Sequence, residues 1–176
     1  MVAVALLGAL VVSACGAGAG PGGSEPASDP AGANTSTSAA AASTPLTFRA
    51  QTVDGVAFDA VDVADQPVLL WFWAPWCVVC RAEAPTIVDV AEELEGEVVV
   101  LGVAGQGRVE EMREFVADTG TERLTHVADT DGAIWRQFGV VAQPAYAFVS
   151  PDGQSEVFVG ALDEDDLREF VGIGSP

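Results

Sequence analysis

Val68-Leu69-Leu70-Trp71-Phe72-Trp73-Ala74-Pro75-Trp76-Cys77-Val78-Val79-Cys80, residues 68–80, runs from an unbroken apolar stretch into two closely spaced cysteines. The run from Val68 to Trp73 has the length of a strand and no polar face, which predicts a central strand covered on both sides. Residues 78–94 then repeat apolar side chains at helical spacing, with Ile87, Val90, Ala91 and Leu94 on one face. Val98 to Val103 is a second buried strand. A strand, a helix and a strand in succession imply parallel pairing.

Both cysteines of the folded region therefore sit where a buried strand meets a helix. A sulfur at a helix N-terminus faces unpaired backbone N–H groups and the positive end of the helix dipole, which lower a thiol pKa from about 8.5. Cys77 is accordingly the expected attacking sulfur. Cys80 lies one helical turn inward and can release a bound client by closing an intramolecular disulfide, so it is the expected resolving sulfur. A zinc site needs about four ligands. The folded region offers two thiols and the distant His126, so no metal is expected. His126 itself reads as a surface or packing residue. A purely structural crosslink over so short a loop would remove little unfolded-state entropy.

Working outward, Leu46–Val53 and Val56–Val63 alternate in strand fashion around Asp54-Gly55, a hairpin turn signal. Residues 108–118 form an amphipathic helix with Val109, Met112, Phe115 and Val116 inward, and 133–138 a short one ended by Gly139. Ala145–Ser150 and Glu156–Val159 flank the turn Pro151-Asp152-Gly153, and 163–171 close the chain as a helix capped by Asp163.

Upstream, residues 2–14 are apolar or small and end in Val11-Val12-Ser13-Ala14-Cys15. This run has the size of a signal-peptide core and is shorter than a membrane span. Its end resembles a lipobox, which would make residues 1–15 an export signal and Cys15 a lipidated N-terminus and membrane anchor. Ordinary cleavage with Cys15 lost or left free, or an uncleaved apolar stub, remain open. Residues 16–44 are almost entirely Gly, Ala, Ser, Thr and Pro and are expected to be a disordered tether. The remainder, 45–176, falls near the usual size of one domain and is the expected folded domain. The net charge of −19, with no lysine among the basic residues, excludes binding to a nucleic-acid backbone.

The stretch from Trp71 to Pro85 resembles the active-site segment of the thioredoxin superfamily, in particular its exported TlpA-like and DsbE-like branch, including the secreted DsbE/DsbF-like proteins of actinobacteria. That resemblance runs to the end of the chain. It implies an α/β thioredoxin fold, a central mixed sheet flanked by helices, here with an extra N-terminal β-hairpin. It also implies a redox-active Cys77–Cys80 disulfide needing no other cofactor. Pro85 matches the helix-kinking proline of the family. Gln143-Pro144 matches its cis-proline loop, which places Pro144 near Cys77 and leaves the Gln143 backbone free to pair with a client strand. Thioredoxin carries a buried aspartate six residues before its first cysteine, where this chain has Trp71. Glu83 resembles the glutamate that the exported branch keeps beneath the cysteines to take up or release their proton. A solvated glutamate, paired with Arg81 or with nothing, is the competing reading. Val78-Val79 differs from the family's usual intervening pairs and adds no side-chain donor. Trp73 and Trp76 are expected to shield the cysteines or form the client-docking surface, and Trp71 and Trp135 to lie in the core.

The expected activity is extracytoplasmic thiol-disulfide exchange with cysteine-containing exported clients, oxidising them, with a membrane redox partner for recycling. The chain is expected to act as a monomer. Two alternatives remain: reduction of apocytochrome c or other client cysteines in cytochrome c maturation, and a copper chaperone, although copper sites on this fold commonly use a wider cysteine spacing plus a histidine.

Overall fold

The computed structural model describes residues 42–43 and 46–172; the expected export signal, Cys15 and most of the expected tether lie outside them. In chain order the first elements are β1 (Ala42–Ser43), β2 (Arg49–Thr52), β3 (Ala57–Asp59), β4 (Val68–Trp73) and α1 (Val78–Glu93). They are followed by β5 (Val99–Gly105), α2 (Val109–Thr119), β6 (Thr125–Asp129), α3 (Ala133–Gln137), β7 (Ala145–Val149), β8 (Gln154–Val159) and α4 (Glu164–Phe170). The strands form one mixed sheet in the order β1-β8-β7-β4-β5-β6-β2-β3, the thioredoxin-like arrangement with its added N-terminal hairpin. Among the described residues the first pairing is at Ala42, within the stretch read as tether, where β1 meets Ser155 and Gln154 of β8.

The period of two along β4 divides the core. Leu69, Trp71 and Trp73 face α1, α2 and α4, packing with Ile87, Val90, Leu94, Met112, Phe115 and Leu167. Val68, Leu70 and Phe72 face α3 and the N-terminal hairpin, packing with Phe48, Ala60, Ile134, Trp135 and Phe138. All six residues of β4 are buried, which is why its sequence lacks a polar face.

Several expected boundaries shift for local reasons. The second hairpin strand stops at Asp59, whose side chain accepts from Val61 N–H at 3.2 Å and caps a 3₁₀ turn over Ala60–Val63. A hydrogen-bonded cap of this kind competes successfully with continued strand pairing. The first strand is also shorter, because only Arg49 to Gln51 pair with β3. The bounds and pairing of β6, the short strand near His126, were not expected; Thr-His-Val-Ala-Asp shows no clean alternation, and its neighbours recruit it. It pairs parallel with β5 and antiparallel with β2.

Strands β4, β5 and β6 run parallel and β7 runs against them. The loops that leave β4, β5 and β6 and the loop that enters β7 therefore gather at one end of the sheet. Cys77 lies at this end, and so does Pro144.

A glycine in the middle of β5 is required by the aromatic layer above it. A Cβ added at Gly102 would overlap the His126 imidazole and approach the Trp73 indole nitrogen to 2.9 Å. Gly102→Ala is expected to lower the unfolding free energy by about 1–3 kcal/mol, the usual cost of overpacking a dense core, which denaturant titration would measure.

Candidate active site

Cys77 and Cys80 form a disulfide, with Cα atoms 5.3 Å apart. Cys77 is the N-cap of α1, in extended conformation, and its sulfur accepts the Cys80 backbone N–H at 3.0 Å. Sequence β4-loop-α1 thus delivers the first sulfur to the orphan donors of a helix N-terminus. Cys80 is fully buried and Cys77 is 5% exposed, so what little of the disulfide meets solvent belongs to Cys77. Trp76, Val78 and Val79 around it are exposed, as is Val141 on the loop leading to Pro144. Further along α1, Pro85 lies inside the helix, where it has no N–H to offer the Arg81 carbonyl.

Of the two expectations for Trp73, shielding the cysteines or forming a docking surface, its burial overturns the second. It is fully buried, stacks on Phe115 with ring centroids 4.1 Å apart and donates to His126 Nδ1 at 3.2 Å. It shares strand parity with Leu69 and Trp71, which turns it toward the helices. Trp71 and Trp135 lie in the core as expected.

Trp76 is 59% exposed, and its indole N–H donates to the Gln106 carbonyl at 2.9 Å. Gln106 Nε2 reaches Gln143 Oε1 at 3.5 Å, so the loops after β4 and β5 and before β7 are joined by side-chain contacts. The Gln143–Pro144 peptide bond is cis. Gln106 was missed in the sequence; its φ of 55° is the one positive value at a non-glycine residue among those described. The flanking Gly105 and Gly107 were the available signal, since a Cβ on Gly107 would overlap Pro75.

Glu83 is 7% exposed, one turn beyond Cys80 on α1. Its Oε1 accepts the Trp71 indole N–H at 2.7 Å. Burial pushes its pKa up to about 7, against the smaller opposing pull of Trp71 and Tyr146. Arg81 is not its partner. The guanidinium pairs with Asp118 at 3.2 Å and lies over the Phe115 ring. His126 is a packing residue: Nδ1 accepts from Trp73, so the ring proton is on Nε2, which donates to the Thr121 carbonyl at 3.0 Å. Burial first of all holds its pKa down to about 4. Tyr146, fully buried on β7, was not singled out in the sequence.

A Cys77–Cys80 disulfide at a strand-helix junction, at the same end of the sheet as a cis-proline loop, defines a disulfide oxidoreductase of thioredoxin fold. A model of the AhpC/TSA family matches residues 42–156, and the chain belongs to that family. It is 38% identical over 137 residues to the soluble secreted antigen MPT53 of Mycobacterium tuberculosis, covering 76% of this chain and 78% of that protein. A structure of MTB DsbF in mixed oxidized and reduced forms is 44% identical, with a TM-score of 0.70 over 73% of this chain and 96% of that one. A secreted Mycobacterium tuberculosis disulfide oxidoreductase homologous to E. coli DsbE is 36% identical, with a TM-score of 0.68 over 74% and 98%.

The two buried titrating groups pull stability in opposite directions. Glu83 binds its proton more tightly folded than unfolded, so its contribution is full below about pH 4.5 and is lost as pH rises through about 7. His126 binds its proton less tightly folded, so stability is lost as pH falls from about 6.5 through about 4. Glu83→Gln removes the first effect. The stability of this variant relative to the parent is expected to rise by about 2–3 kcal/mol between pH 4.5 and 7 and then level off, measured by urea unfolding at each pH.

Proposed function

We propose that this protein oxidises cysteine-containing exported clients through the Cys77–Cys80 disulfide. The observation that carries the reading is the Cys80 N–H held on the Cys77 sulfur, which favours the thiolate of the reduced pair and so favours giving up the disulfide. The secreted nature of the relatives named above supports an extracytoplasmic setting.

In the proposed cycle a client thiolate attacks the Cys77 sulfur, and the Cys77–Cys80 bond breaks. Cys80 leaves as a thiolate and takes the proton of Glu83, whose pKa near 7 suits the exchange. A second client thiolate then attacks the client sulfur of the mixed disulfide and releases Cys77 as a thiolate. The client loses two electrons and the cysteine pair gains them. A membrane redox partner takes them off again, completing the cycle for a monomeric domain. Run backwards, the same steps reduce a client such as an apocytochrome.

Trp76 offers the client an apolar face beside the sulfur, and the Gln143 backbone ahead of Pro144 offers strand-like hydrogen bonds. The export signal is removed in front of Cys15, whose lipidation holds the domain at the membrane on the segment that precedes β1. Cys15→Ser should then move the protein from the membrane fraction to the medium.

Direction is tested by refolding a reduced disulfide-containing protein with the oxidised domain, and by reducing insulin with the reduced domain. The oxidative reaction is expected to be the faster at matched potential; faster insulin reduction would reverse the assignment. Cys77→Ser should lower either rate by roughly a thousandfold or more, and Glu83→Gln by about a hundredfold, with folding retained.

A further inference from the structure

Trp71 of β4 and Tyr146 of β7 are directly opposite one another in the antiparallel pair, so both side chains rise on the same face of the sheet. Both pack in the cluster that lies under α1, and Glu83 comes down into it from the helix. The Trp71 indole meets Oε1. Among the described residues, the two buried side-chain oxygens without a hydrogen-bond partner are Glu83 Oε2 and Tyr146 Oη. Burial first, and then the Glu83 charge, keep the Tyr146 phenol protonated, against a smaller opposing pull from the Leu162 backbone, and Tyr146 in turn slightly lowers the Glu83 pKa.

An indole N–H can only donate, so Oε1 is an acceptor whether or not Glu83 is ionised. The carboxyl proton therefore belongs on Oε2, which like Tyr146 Oη is buried without a hydrogen-bond partner. A phenol hydroxyl can donate or accept. Beside a protonated Glu83 it can receive the Oε2 proton; beside an ionised one it can turn and donate.

We propose that Tyr146 is a positioning residue for proton exchange at Glu83, the second arm of a cradle whose first arm is Trp71. The inference rests on the reading of Glu83 as the proton partner of Cys80. No other charged group competes for that carboxyl group among the described residues. Arg81 on α1 is turned to Asp118, and Glu114 and Asp118 on α2 are exposed. On α4, Arg168 is engaged by Glu93, Glu164 and Asp165. The His126 ring of β6 meets the edge of Trp71 at 6.2 Å and is neutral above about pH 4.

Tyr146 is the single tyrosine of the chain, which makes a volume-conserving test available. The oxidised protein, carrying ¹³C-labelled glutamate, is titrated by NMR to read the Glu83 midpoint directly. Tyr146→Phe is expected to raise that midpoint by about one pH unit, a tenfold loss of the ionised form below it. Biosynthetic replacement of tyrosine by 3-fluorotyrosine, a stronger donor of nearly the same shape, is expected to lower it. The ¹⁹F signal of the fluorotyrosine should itself titrate at the Glu83 midpoint and lose that step in Glu83→Gln. Midpoints that coincide with the parent in both replacements, or a ¹⁹F step that persists in Glu83→Gln, would overturn the cradle. Exchange rates of Glu83→Gln equal to the parent at every pH would instead remove Glu83 from the reaction, leaving the cradle to stand or fall on the NMR midpoints.

Discussion

In the first turn of α1 the Cys80 amide hydrogen points at the sulfur of Cys77 rather than at a backbone oxygen. An N-cap is ordinarily supplied by the oxygen of Ser, Thr, Asp or Asn. Here the cap is a sulfur of the cysteine pair itself, so the contact that starts the helix also favours charge on that sulfur once the pair is reduced. Everything else in the site can be read as a condition for keeping it there. β4 must be buried on both faces to hold the loop at the end of the sheet, and α1 must begin without slack immediately after it. The cis-proline loop must arrive from the antiparallel neighbour to stand at the same end.

The second constraint is electrostatic. Glu83 is a carboxyl group placed against aromatic rings instead of water, and its raised pKa follows from that placement. Thioredoxin puts an acid on the strand at the position that Trp71 fills in this chain. The acid here is on the helix, and the strand position supplies its donor. The exchange conserves a buried carboxyl group near the cysteines while reversing which element carries it. It also explains a tryptophan in the middle of β4 whose indole nitrogen would otherwise have no partner.

Much of this architecture could be read from residue patterns. The apolar run of β4, the face of α1 and the turn before β8 were legible because each has one strong local cause. So was the Asp163 cap of α4, whose carboxylate accepts the Asp166 N–H at 2.9 Å. What escaped was decided at a distance. β6 is a strand because β5 and β2 lie on either side of it, and nothing within its five residues says so. Trp73 and Trp76 look alike in composition, yet one is fully buried and the other open to solvent. Parity along β4 separates them: Trp73 keeps step with Leu69 and Trp71, whereas Trp76 has already left the strand. Gln106 and Tyr146 gave no signal of their own, because the residues they meet lie thirty and more than sixty positions away along the chain.

The mooring of Trp76 to the Gln106 carbonyl fixes which part of that ring the surroundings can meet. Its polar edge is already spent within the protein, so the exposed remainder is a flat hydrocarbon plate with no directional demand. Contacts on such a plate are graded by area and fit rather than by matched donors and acceptors. A plate of this kind demands no matching polar group from whatever covers it.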